Sequence, residues 1–190
     1  MKPKSRFLGI DDAPFRFGDS RVPIVGVVVQ APAYIEGVLT TDAEVDGTDA
    51  TERVSMMIRR SRYREGLAMV FVNGAAVGGF NVLDVDALRE TAGVPVVTIT
   101  RRRPDLAAIE KALRYRFADW QARLALIRKH GVEAMPTKHK PLYVTYVGAS
   151  RHEVREALAL TTVRGALPEP LRVAHLVGTA IVRGESHGRA

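Results

Sequence analysis

The chain has 190 residues, 46% of them hydrophobic, and sets 28 Lys and Arg against 21 Asp and Glu for a formal net charge of +7. That length and balance suit one soluble domain whose core is large enough to fold without a covalent or metal staple. The absence of Cys excludes a disulfide framework, a thiolate-held zinc or iron–sulfur site and a thiol nucleophile.

The positive excess rests on Arg, with 22 Arg to 6 Lys. Arg grips phosphate in two-pronged fashion and stacks on bases, and neutralised phosphates release counterions, so a polyanion is the favoured partner. No apolar run approaches the roughly 20 residues that span a bilayer. The basic start at Met1–Arg6 leads into a strand-like segment and not a leader's apolar core, so a cytoplasmic location without membrane contact is expected.

In chain order, Arg6–Asp11 is a short apolar run that delivers two acids, Asp11 and Asp12. A turn-rich stretch over 13–20 follows. Val22–Val29 is dense in β-branched residues and Tyr34–Val45 reads as extended with Gly37 inside it, which together predict an antiparallel meander. Asp49–Arg60 reads as a helix with Val54, Met57 and Ile58 on one side and Arg59, Arg60 and Arg62 at its carboxyl end, where cations complement the dipole. Leu67–Val72 is continuously apolar, as in a strand buried on both faces, and runs into Asn73-Gly74 and a Gly-rich loop through Gly78 and Gly79. Asp84–Ala92 is a short helix stopped by Gly93. Val94–Thr100 is a buried strand closed by Arg101-Arg102-Arg103-Pro104. From Asp105 to His130 the spacing of Leu106, Ile109, Leu113, Phe117, Trp120, Leu124 and Ile127 predicts one long amphipathic helix with that stripe in the core. Pro141–Val147 is a further strand, and Arg151–Leu160 and Pro170–Val182 are helices. With no repeat, linker or composition break, residues 1–190 form one domain.

Three antiparallel strands followed by alternating helix and strand give the order of an α/β, ribonuclease H-like domain with a mixed sheet flanked by helices, and the alternation from Asp49 onward favours parallel strands with right-handed crossovers. Sites in such sheets form at the carboxyl ends of strands. Asp11, Asp12 and Asn73 fall at such ends, and Asp42, Glu44, Asp46 and Asp49 follow the third strand. Carboxylates there suit a hard cation, since Mg²⁺ takes one or two of them plus water and substrate phosphate. A purely structural account makes Asp46-Gly47 a turn and Asp49 a helix cap. The Gly-rich segment 73–81 is either a strand-to-helix turn or a loop that admits a flipped nucleotide. It lacks the endings of nucleotide-triphosphate and dinucleotide loops, so no organic cofactor is expected. Arg59-Arg60, Arg101-Arg102-Arg103, Lys138-His139-Lys140 and Arg183 are candidate phosphate contacts, and His130, His139, His152 and His187 read as surface.

Several segments together resemble a known family. Gly9-Ile10-Asp11-Asp12, Tyr34-Ile35-Glu36-Gly37-Val38-Leu39, Val45-Asp46-Gly47-Thr48-Asp49-Ala50-Thr51, Gly79-Phe80-Asn81-Val82-Leu83-Asp84 and Pro168-Glu169-Pro170-Leu171-Arg172-Val173-Ala174-His175 look like the archaeal domain of unknown function 99. That family is also described as endonuclease dU, a deoxyuridine endonuclease similar to endonuclease V. The resemblance implies a ribonuclease H-like nuclease that uses Mg²⁺ or Mn²⁺ and cuts a DNA phosphodiester near a deaminated base in DNA repair, with RNA not excluded. Gly9-Ile10-Asp11 matches the end of endonuclease V's first strand. Tyr34-Ile35-Glu36-Gly37 matches its duplex wedge, with Glu36 where that wedge has Pro. Strict counting puts Ala43 at its second carboxylate, so Asp42, Glu44 or Asp46 would substitute. Asn73-Gly74 stands at its third acid, and His175 matches a His beside the active site. The implied site is Asp11 and Asp46 as metal ligands, Asp12 and Asp49 assisting, Asn73 completing the set and His175 positioning water or helping the leaving oxygen. Tyr34, Glu36, Gly37, Gly79, Asn81 and Arg172, with Arg101 and Arg102, would contact nucleic acid. A nucleic-acid-binding protein that kept the fold and lost cleavage is the alternative, motivated by Asn73.

Overall fold

The structure, a computed structural model, describes residues 4–16 and 18–186. It opens with strands β1 (Arg6–Asp12), β2 (Arg21–Gln30) and β3 (Tyr34–Glu44), joined as the expected antiparallel meander. Helix α1 (Ala50–Arg60) and a 3₁₀ turn (Arg64–Gly66) return the chain to β4 (Leu67–Asn73), which lies parallel to β1. The Gly-rich segment then forms a small hairpin, β5 (Ala76–Val77) with β6 (Asn81–Val82), ahead of α2 (Val85–Ala92). After β7 (Val96–Thr100) come α3 (Leu106–Arg116), α4 (Trp120–Arg128), β8 (Glu133–Met135), β9 (Leu142–Val147), α5 (Arg151–Thr161) and α6 (Glu169–Arg183). The seven-stranded mixed sheet has the order β3-β2-β1-β4-β7-β9-β8.

Strand alternation splits the core into two layers. Leu8, Ile10, Val70 and Val72 face Val54 and Ile58 of α1 and Leu88 of α2. Phe7, Phe71, Val97 and Ile99 face Val154 and Leu158 of α5 and Leu171 of α6, with the Phe7 and Phe71 rings stacked at 5.5 Å. Each such side chain contributes about 1.5–3 kcal/mol by leaving water. Among the described residues no helix is long and apolar enough to cross a membrane.

Three expectations need correction. The single helix over 105–130 is two: Phe117 leaves the helical path (φ −131°, ψ 131°), and its ring turns to the Phe80 edge and the Arg123 guanidinium. Of its apolar stripe only Leu113 and Leu124 are buried, while Leu106, Ile109 and Ile127 line a cavity of about 240 Å³. Second, β9 runs antiparallel to β7, because the chain turns back through β8 at the sheet's edge before entering it. Third, Asp49 occupies the N-cap position of α1 without capping it. Asn81 reaches over and accepts the Ala50 N–H at 3.0 Å instead.

Candidate active site

The register that pairs Ile10 with Val72 places Asp11 and Asn73 side by side at the ends of β1 and β4. The Asn73 Nδ2 donates to Asp11 Oδ1 at 2.8 Å, and the Asp12 N–H donates to the same oxygen at 3.0 Å. The third wall is α6. A Cβ on Gly9 would lie 2.3 Å from the Pro170 carbonyl carbon and 2.5 Å from the Leu171 nitrogen, so β1 admits the helix this close only because residue 9 is Gly. Further along, Gly178 rests against Ala13 in the same way. Between these contacts α6 presents His175, whose Nδ1 lies 3.1 Å from Asp11 Oδ2. Asp11 is only 2% exposed.

Consecutive strand residues point to opposite faces, so Asp12 turns away from α6 toward the β5–β6 hairpin, where its Oδ2 accepts the Gly78 N–H at 2.8 Å. Burial, and secondarily the charge of Asp11, push the Asp12 carboxyl up to about 6 against the Gly78 hydrogen bond. His175 is raised above the usual imidazole range, chiefly by its hydrogen bond to Asp11 and against its own burial and the charge of Arg101. The ring therefore serves as the Nδ1–H donor to Asp11 and keeps its second proton to higher pH than free imidazole.

The other expected acids go elsewhere. Asp46 sits in the left-handed region (φ 58°), its Oδ1 accepting the Phe80 N–H at 2.9 Å and its Oδ2 pairing with Arg116 at 2.5 Å. Asp49 accepts the Glu44 N–H at 3.0 Å and Asn81 Nδ2 at 2.8 Å, and pairs with Arg21 at 3.2 Å. Burial pushes its carboxyl up, and these donors together outweigh that and hold it below the usual range. Asp42 pairs with Arg21 and Arg53, and Ala43 is buried. The structure thus brings together Asp11, Asp12, Asn73 and His175, and commits the carboxylates of Asp46 and Asp49 to cations and amides around them.

The expected nucleic-acid contacts divide likewise. Tyr34 is 68% exposed at the β2–β3 hairpin, level with Arg6 and so at the end of the sheet away from Asp11, whereas Arg101 and Arg102 are exposed where β7 ends, on the same sheet edge as Asp11. Glu36 is taken up by ion pairing with Arg6, and Gly37 makes room for the Tyr63 ring, whose hydroxyl donates to the Glu36 carbonyl at 2.7 Å. Gly79 (φ 87°) makes room for Asp46. Asn81 is fully buried, holding the Glu44 carbonyl, Asp49 and the Ala50 N–H, and therefore cannot reach a ligand. Arg172 is clamped to Glu169 by two bonds of 2.9 and 2.7 Å. His130 bonds Asp86 at 2.8 Å, and His187 lies outside the described residues. Sequence reasoning missed Arg123, which is 8% exposed and whose Nη1 donates to the carbonyls of Asp46, Gly47 and Phe80 at 2.9, 2.9 and 2.7 Å. A charged residue inside the apolar stripe of a helix was the available signal.

These residues fit one hard cation. Among the described residues no three His, Asp or Glu side chains converge to cage an ion by themselves. Mg²⁺ needs only one or two carboxylates and completes its shell with water and phosphate. Asp11 and Asp12 supply two. A half-turn of the Asn73 amide would present its carbonyl in place of its N–H. A cation beside the pair relieves both the burial and the like charge that raise Asp12.

Over residues 3–182 the sequence matches the family model described as endonuclease dU. A UPF0215 protein of Methanothermobacter thermautotrophicus is 40% identical over 191 residues, covering all of this chain and 94% of the relative. A protein of unknown function from Archaeoglobus fulgidus superposes with a TM-score of 0.85 at 34% identity, covering 95% of this chain and 100% of that one. Endonuclease V of Ciona intestinalis, solved with a DNA containing an inosine followed by a ribo-adenosine, gives a TM-score of 0.57 at 12% identity over 90% of this chain and 82% of that one. That last likeness bears on the fold, which is ribonuclease H-like. The full-length match in sequence goes further: this chain belongs to the endonuclease dU family.

Proposed function

We propose that the protein is a divalent-metal-dependent endonuclease that hydrolyses a DNA phosphodiester at or near a deaminated base, deoxyuridine by family. The observation that carries this reading is the Asp11–Asp12 pair at the end of β1, with His175 of α6 bonded to Asp11. Asp11, Asp12 and the Asn73 carbonyl would hold Mg²⁺ or Mn²⁺, which when bound supplies Lewis-acid charge neutralisation and a more acidic water. His175, whose Nδ1 faces Asp11 and whose pKa that contact raises, would donate its other ring proton to the leaving 3′ oxygen as the bond breaks. The exposed Arg101 and Arg102 at the same edge hold flanking phosphates.

One observation favours the alternative, a binding protein that has lost cleavage: the Asn73 amide already donates to the central carboxylate, where an acid would add negative charge. The test is cleavage of labelled duplex and single-stranded DNA carrying deoxyuridine or deoxyinosine, with Mg²⁺ or Mn²⁺, beside an Asp11→Ala control. Metal-dependent nicking near the altered base that disappears in the control supports the nuclease. Binding without nicking in either protein leaves the alternative.

A further inference from the structure

Beyond His175, α6 continues for two turns, and Val182 lies seven residues on along the same helix face. That stretch, about 10 Å long, runs beside the β1–β2 loop, which leaves directly from Asp12. Between them lies a cleft of about 670 Å³ lined, among the described residues, by Pro14, Phe15, Arg16, Asp19, Val182 and Arg183. Helix and loop meet where Gly178 packs on Ala13, whose N–H donates to the Pro23 carbonyl at 2.8 Å. On the cleft's wall the Arg16 N–H donates to Asp19 Oδ2 at 2.7 Å and the Asp19 N–H donates to the Arg16 carbonyl at 3.1 Å. Among the described lining residues Asp19 is the one carboxylate, held by the Arg16 N–H, and against its single charge Arg16 and Arg183 bring two positive ones.

An exposed aromatic ring that shares a cleft with two arginines, on the loop that leaves Asp12, has a specific match. Phe15 and Val182 are 36% and 47% exposed. A ring face of this kind binds a base only if that base is unpaired, because a base inside a duplex is already stacked on both sides. We propose that this cleft holds an unpaired nucleotide of the strand that passes through the Asp11–His175 site, its base on Phe15 and its phosphates on Arg16 and Arg183. The proposal rests on the nucleic-acid reading above and adds where the strand goes and in what state.

The test is fluorescence anisotropy with a labelled single-stranded oligonucleotide and the same sequence as a blunt duplex, in EDTA so that binding is read without cleavage. Phe15→Ala should weaken single-strand binding on the order of ten- to a hundredfold, the range for one stacked base, and change duplex binding far less. Arg16→Ala with Arg183→Ala should reduce the slope of log K against log salt by about 1.4 for the single strand, from two phosphate contacts. These side chains are exposed, and melting curves matching the parent will show that the variants fold. Undiminished single-strand binding in both variants, or equal losses for single strand and duplex in Phe15→Ala, overturns the cleft assignment while leaving the nuclease reading in place. A parent protein that binds neither oligonucleotide overturns both.

Discussion

Replacing Arg123 by Met tests how the site's outer loop is held. Met has nearly the helix propensity of Arg and an unbranched stem, so α4 itself should persist. What disappears is one buried guanidinium that joins three carbonyls, those of Asp46, Gly47 and Phe80, to Asp119. Hydrogen bonds to a charged donor are worth about 1.5–3 kcal/mol, and a buried carbonyl left without a partner costs about 1–3 kcal/mol. The three share one donor and will not add, so about 3–5 kcal/mol is expected from the lost charged donor and the buried carbonyls it leaves without a partner. For a chain of this size each kcal/mol moves the midpoint by about 2–4 °C, giving a fall of about 6–20 °C by calorimetry. Arg128→Met is the control on the same helix, because Arg128 forms an exposed pair with Glu110 that contributes about 1 kcal/mol or less. Amide exchange should also quicken at Gly47 and Phe80 before the rest of the sheet. An Arg123→Met midpoint within about 2 °C of the parent would refute the claim that this side chain holds the two loops together.

Four other changes follow from the geometry. Gly9→Ala must push α6 outward by about 1 Å, from 2.3 Å toward an ordinary 3.4 Å contact, for about 1–3 kcal/mol; Gly131→Ala, with open space around it, should be neutral, and equal midpoints for the two would contradict the close approach. Thr179 is buried with a hydroxyl that has no partner among the described residues, so Thr179→Val should raise the midpoint, and a lowered one would point to a partner for that oxygen. Asp49 is held below the usual carboxylate range, so its stabilisation is present at neutral pH and lost as pH falls below about 4, the unfolded value. Urea melts of Asp49→Asn and the parent should therefore differ at pH 7 and draw together as pH falls below about 4, whereas a constant gap would assign the corner to neutral hydrogen bonds alone. Asp12 has the opposite sign: its carboxyl is raised to about 6, so the folded chain loses stability as pH rises through that value. Asp12→Asn should melt higher than the parent in EDTA at pH 7.5 and lose any rise in midpoint produced by Mn²⁺; a lower melting point in EDTA would contradict this.

The legible parts of this fold are those in which one local signal had no competitor. The continuous apolar run Leu67–Val72 could only be a strand buried on both faces, and Asp84 and Gly93 bracket α2 as cap and stop. The pair Asp11 and Asp12 could be placed at a strand end because the run before it has a fixed period. Illegible were features decided by partners distant in sequence. Nothing near residue 46 says that its carboxylate will meet Arg116, 70 residues on, and nothing near residue 81 says that an Asn in a family motif is a buried clamp for α1. The break at Phe117 was hidden for the same reason, since the helical spacing continues through it and only the contacts with Phe80 and Arg123 make leaving the helix favourable. Strands of two or three residues, β5, β6 and β8, are too short to show a period at all.

The bond between Asp11 and His175 joins residues 164 positions apart. Chains emerge from synthesis amino end first, at about 5–20 residues per second, so β1 and its acids wait roughly 8–33 s for the helix that covers them. Over that interval the meander and the parallel strand beside it can pair, yet His175 has not been made. The Asp11–His175 contact therefore forms only when the last helix docks against Gly9, and an unfinished chain carries the acids without the imidazole that meets them.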